Sequence, residues 1–176
     1  LTVDTHHPDG YKCIYCEDNY GEFFEDTTKE LGNNQFANVM SCSSKQVAEF
    51  VEWIQAQDFY ENTTIIITGD HNSMNSQYMN EHVSADYTRR IYNCFLNTAT
   101  DALNPKNRDF TTLDMFPTTL AAIGCTIEGD RLGLGTNLFS DKKTLAERYG
   151  FDYLCAEINK TSPYYENNFL YEKKTD

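Results

Sequence analysis

Apolar side chains recur at Val47, Phe50, Val51 and Ile54, the i, i+3, i+4, i+7 spacing that gives a helix one apolar face. Ser43 stands three residues before Gln46, the spacing of a capping box, so the pattern predicts a helix over 43–57. Thr64 to Thr68 is a β-branched run without alternation. Such a run suits a central parallel strand, buried on both faces, and here it ends in Gly69-Asp70-His71. A helix followed by a buried strand is half of a βαβ repeat, and the pattern predicts an α/β fold.

The remaining elements follow the same reading. Leu1 to Thr5 reads as a short strand entering the polar turn His6-His7-Pro8-Asp9-Gly10, and 11–40 as loop. Residues 76–88 are polar and predict a loop with a short helix, and Arg90 to Asn97 a further strand. Thr112 to Gly124 predicts a helix, with Asp114 at its cap, Pro117 in its first turn, Leu120 and Ile123 on one face and Gly124 as terminator. Gly133-x-Gly135 predicts a turn into an edge segment, Thr144 to Lys160 a helix, and 161–176 a surface-running tail.

Composition narrows the function classes. The 176 residues include 27 acidic and 14 basic side chains, for a formal charge of −13. A surface this acidic repels phosphate backbones, which excludes nucleic acid as the expected partner and disfavours electrostatic docking on anionic lipid. Apolar residues make up 40%, enough for one compact domain with a core. No stretch approaches the roughly 18 apolar residues of a membrane span. The opening Leu1-Thr2-Val3-Asp4 reads as the middle of a strand and predicts a piece of a longer protein. Six cysteines, at 13, 16, 42, 94, 125 and 155, suit the disulfides of an exported domain. Cys13-x-x-Cys16 has zinc spacing but lacks the second pair that a structural zinc site uses.

Asp70-His71 is the sharpest chemical signal. Both residues follow a predicted central strand, and ligands bind at that edge of open α/β sheets. A carboxylate beside an imidazole makes a half-site for a divalent cation such as Mn²⁺ or Zn²⁺. His6, after the first predicted strand, is placed to reach the same edge and to hydrogen-bond an anionic oxygen. Asp114 reads as a helix cap rather than an acid. Gly133-x-Gly135 lacks the third glycine and the helix of a dinucleotide loop. Arg89-Arg90 reads as an exposed strand edge, with offset of substrate charge as the lesser alternative.

Four segments, in order, carry a resemblance: LTVDTHHPDGY from residue 1, IITGDHNSM from Ile66, TLDMFPTTL from Thr112 and LGLGTNLF from Leu132. Together they resemble the phosphoglycerol transferase and lipoteichoic acid synthase branch of the alkaline phosphatase/sulfatase superfamily, nearest to its glucan-modifying members. The match covers most of 1–140, and 141–176 match nothing. The resemblance implies the C-terminal part of one extracytoplasmic catalytic domain over 1–176, with a partial alkaline-phosphatase/sulfatase-like sheet flanked by helices. It implies Asp70 and His71 as metal ligands, with Mn²⁺ expected and Zn²⁺ or Mg²⁺ open, and His6 at the phosphate or glycerol end of the substrate. The nucleophilic threonine, the other metal-binding acid and a membrane anchor would lie upstream of residue 1. The implied donor is the head group of phosphatidylglycerol, and the acceptor a cell-surface glycan or teichoic acid. The implied place is the outer face of a bacterial cell membrane. A Cys16–Cys42 disulfide is implied by the same resemblance, within a set of cysteines expected to be mainly oxidised. The fragment alone is expected to be inactive. Two other readings stay open on the residues present: a sulfatase or phosphatase of the same superfamily, and a non-catalytic binding domain that keeps the fold.

Overall fold

The computed structural model describes Thr5, Gly10, Ile14 and residues 35–170. The strand expected at the start of the chain therefore lies outside the described residues, Thr5 apart, which is in a turn. The chain divides into two units, Leu1–Asn97 and Thr98–Asp176. Helices alternate with two small antiparallel sheets, consistent with a mixed α/β chain.

The first unit is built on helix α1, Gln35–Gln55. It starts within the segment expected to be loop, and Ser43, expected at the cap, lies inside the helix and is buried. The reason is the apolar content upstream. Phe36, Ala37, Val39 and Cys42 are all 3% exposed or less, so burial of this face carries the helix past a local capping signal. The face expected to be core is the more open one: Phe50 is 59% exposed and stacks on Trp53 at 5.9 Å. Phe36 instead meets Tyr78 edge-on, with ring centroids 5.1 Å apart. Tyr78 belongs to helix α2, Ser76–His82, the short helix expected in that polar stretch. Asn75 caps it by accepting a hydrogen bond from the Tyr78 amide.

Strand β1 is Ile65–Thr68 and strand β2 is Asn93–Leu96. They pair antiparallel, with Ile66 opposite Phe95 and Thr68 opposite Asn93. This corrects the expectation of a central parallel strand. Ile65, Ile66 and Ile67 are half-buried, and among the described residues β1 has β2 as its one neighbour. A β-branched run fixes strand propensity but does not encode direction of pairing. Asn97, at positive φ, closes the far end of the ribbon by donating its amide to the carbonyls of Tyr60 and Thr63.

The second unit centres on helix α3, Met115–Ala122, entered through a single 3₁₀ turn, Thr112–Asp114. Its buried face is Pro117, Thr118, Ala121 and Ala122. Ile123, expected on the apolar face, is 56% exposed because the helix has already ended. Strands β3, Arg131–Leu132, and β4, Gly135–Thr136, form the turn expected at Gly133-x-Gly135. Gly133 takes a φ of 60°, which suits glycine at the first position of a two-residue hairpin loop. Gly135 is required for a different reason: a Cβ there would lie 2.0 Å from the Leu113 carbonyl oxygen.

Helices α4, Leu145–Tyr149, and α5, Phe151–Ile158, take the place of the single helix expected over 144–160. They are split at Gly150, which has a φ of 85°. Thr144 and Glu147 form a reciprocal capping box at the start of α4. Two short helical turns, Pro163–Tyr165 and Glu166–Leu170, follow in the exposed tail.

Of the four described cysteines, Cys94, Cys125 and Cys155 carry free thiols, which corrects the expectation of mainly oxidised cysteines for these three, while Cys42 is disulfide-bonded. Cys42 is buried, and its implied partner Cys16 lies outside the described residues.

Candidate functional site

Asp70 and His71 emerge directly after β1, as the sequence predicts, on a turn that leads to α2. Gly69 begins the turn. Its amide donates to the Tyr92 carbonyl at 3.1 Å, which extends the β1–β2 ladder by one bond. Thr68 and Asn93 add a side-chain hydrogen bond of 2.5 Å across the same strands. The backbone that presents Asp70 is thus held from one side by β2.

The Asp70 carboxylate divides its oxygens between two tasks. Oδ1 accepts the His71 backbone amide at 2.9 Å, and Oδ2 lies 3.6 Å from His71 Nε2. The other ring nitrogen, Nδ1, is 2.9 Å from the Asn72 carbonyl oxygen. A carbonyl only accepts, so Nδ1 carries the proton in the neutral ring, and Nε2 presents its lone pair. A histidine ligand of this kind is held by a hydrogen bond on its second nitrogen in most metal sites. Side-chain exposure is 59% for His71 and 81% for Asp70, so both donor atoms are open to solvent.

The donor set fits a divalent cation. One carboxylate oxygen and one neutral imidazole nitrogen match the ligand types of Mn²⁺ and Zn²⁺. Two metal–ligand bonds of about 2.1 Å each can bridge a 3.6 Å donor separation. Among the described residues no third histidine, cysteine, aspartate or glutamate joins them. His6 lies outside the described residues.

The other motif residues are structural. Asp114 is 2% exposed. Its Oδ2 accepts the Thr111 amide at 2.9 Å, and its Oδ1 accepts the Thr136 amide at 2.8 Å. It is thus the third residue of a capped turn, with Thr111 as the cap, one turn position from the role the sequence suggested. Arg108 and Glu147, which no sequence pattern singles out, form a two-pronged ion pair at 3.0 and 2.8 Å. Arg108 also donates to the carbonyls of Leu138, Ser140 and Lys142. The hydrogen bonds from Arg108 hold the Glu147 carboxyl below its usual pKa, and the same contact raises the guanidinium.

Among the described residues no helix is long and apolar enough to cross a membrane. No family model matches the chain, and no solved structure matches it. Curated relatives do. The chain is 37% identical over 84 residues to phosphoglycerol transferase I of Citrobacter koseri, 36% to that of Escherichia fergusonii and 34% to that of Salmonella paratyphi B. In each case the match covers 46% of this chain and 10% of the relative, so the chain spans about a tenth of the length of the curated proteins it matches. Over that part of its length, the chain's resemblance to the phosphoglycerol transferase branch is borne out.

Proposed function

We propose that this chain is part of a metal-dependent phosphoglycerol transferase, anchored in the cell membrane and facing outward. Its reaction would move glycerol phosphate from phosphatidylglycerol to a cell-surface glycan or teichoic acid. The observation that carries this reading is the Asp70–His71 pair: two open donor atoms, 3.6 Å apart, on a turn tethered to β2. The named relatives support the transferase class.

In this reading Asp70 Oδ2 and His71 Nε2 hold one divalent cation, Mn²⁺ first among the candidates. A bound cation supplies charge stabilisation for phosphoryl oxygens and activation of a bound hydroxyl. The chain's own residues do the positioning. The His71 amide fixes Asp70 by Oδ1, and the Asn72 carbonyl fixes the His71 ring. His6 donates a hydrogen bond to the phosphate or glycerol end of the substrate. The nucleophilic threonine lies upstream, in the part of an alkaline-phosphatase/sulfatase-like fold that precedes residue 1. Cys42 pairs with Cys16, tying the segment after the His6 turn to α1. Mapping of unreduced peptides checks that pairing.

The deciding experiment compares Asp70→Ala with wild type in the full-length protein. The expected result is loss of bound Mn²⁺ and of head-group release from labelled phosphatidylglycerol, with the melting temperature unchanged. Retained metal stoichiometry would remove Asp70 from the site and the reading with it. The isolated 176-residue chain is expected to turn over no substrate, since the nucleophile of this reading lies upstream and two ligands alone do not make a transferase. Multiple turnover by that chain would place the nucleophile within residues 1–176.

A further inference from the structure

The turn that carries Asp70 and His71 is held from a second direction. Arg89, 16 residues beyond Ser73, donates from Nη2 to the Ser73 carbonyl. Ser73 is itself folded inward, its Oγ accepting the Asn75 amide at 3.2 Å. The Asn72 carbonyl, which accepts His71 Nδ1–H, lies in the peptide plane that ends at the Ser73 amide, and the Ser73 carbonyl lies in the next plane. The two planes meet at the Ser73 Cα, so the Ser73 dihedrals set their relative orientation. The guanidinium on the Ser73 carbonyl and the Asn75 amide on Ser73 Oγ hold that residue at two points, and so restrain the carbonyl that sets the His71 tautomer and ring direction.

Arg89 has the chemistry for this, and among the described residues no carboxylate pairs with it. Its neighbours carry the rest of the tether. Ile91 packs where a Gly69 Cβ would sit, and the Tyr92 carbonyl accepts the Gly69 amide. The segment 89–93 thus grips the 68–73 turn at three points: Thr68, Gly69 and Ser73.

We infer that Arg89 is a positioning residue for the Asp70–His71 cation site, acting through the Ser73 and Asn72 peptides on the His71 imidazole. This rests on the cation-site reading proposed above. Loss of a group that orients a metal ligand costs about tenfold to a hundredfold in metal affinity.

The test is Mn²⁺ titration of the full-length protein, read by the electron paramagnetic resonance signal of free Mn²⁺, with Asp70→Ala in parallel. Arg89→Ala is expected to weaken Mn²⁺ binding about tenfold or more. Arg89→Lys, which keeps one donor for the Ser73 carbonyl, is expected to stay within about threefold of wild type. If Arg89→Ala fails to fold, Arg89→Met keeps the aliphatic stem without the donors and takes its place. Wild-type affinity in Arg89→Ala or Arg89→Met, with metal lost in Asp70→Ala, overturns this inference alone. Metal retained in Asp70→Ala overturns the site itself.

Discussion

The turn after β1 and the turn before α3 each present an aspartate, and they use it in opposite ways. Asp70 is 81% exposed in its side chain and spends one oxygen on its neighbour's amide, leaving the other open. Asp114 is 2% exposed, and both of its oxygens accept backbone amides, from Thr111 and from Thr136 22 residues away. A buried carboxylate whose lone pairs are filled by the backbone has little left for a ligand, whereas an open one contributes little to folding. Two aspartates in motifs of equal prominence thus divide into one that holds the chain and one that is free to hold something else.

The most damaging change to the second turn should be Gly135→Ala. Its Cβ would meet the Leu113 carbonyl at 2.0 Å and Pro117 Cγ at 2.9 Å, so backbone must move. Loss of about 3 kcal/mol or more is expected, read as the denaturant midpoint. Asp114→Ala comes next. It leaves the Thr136 amide buried without an acceptor and removes a cap, for an expected cost of about 2–4 kcal/mol. Asp70→Ala in the same assay should stay within about 0.5 kcal/mol of wild type. Equal destabilisation by the two substitutions would erase the distinction between them.

The Arg108–Glu147 pair supplies a pH-dependent arm of the comparison. The folded state lowers the Glu147 pKa from its ordinary value of 4.5, chiefly through the Arg108 hydrogen bonds. The unfolded chain therefore binds this proton more readily, and the stabilisation is complete above about pH 4.5. It is lost as pH falls through the lowered folded value. Glu147→Gln should flatten the acid limb of the stability profile, and an unchanged limb would show that the pair contributes nothing there. The last expected effect has the opposite sign. Thr136 is fully buried, and among the described residues its hydroxyl has no hydrogen-bond partner. Thr136→Val, nearly the same shape without the orphan hydroxyl, should stabilise by about 1 kcal/mol.

Local signals in the sequence were good guides where local physics decides. The β-branched run gives β1, the helix expected from Thr144 does start there, and Gly133 marks a real turn. They misled where distant burial decides. Ser43 and Gln46 have capping-box spacing, yet the packing of Phe36 and Val39 carries α1 through that point. Pairing direction of β1 depends on β2, about 25 residues on, and no periodicity within either strand encodes it. The position of Asp70 and His71 after a strand was legible, because the β-branched run ends just before them. The Arg89 tether was not, since a backbone carbonyl as partner leaves no trace in residue identity.

Arg108 has a consequence for how this region can vary between related sequences. Three carbonyls, of Leu138, Ser140 and Lys142, converge on one planar side chain, while Phe139 and Ser140 bury their own side chains in the same stretch. The length of the segment is therefore fixed by the guanidinium's reach as well as by that burial. Insertion or deletion of a single residue would carry at least one carbonyl out of the guanidinium's reach and leave a charged donor dry. Among related chains, this stretch should keep its residue count for as long as the arginine remains.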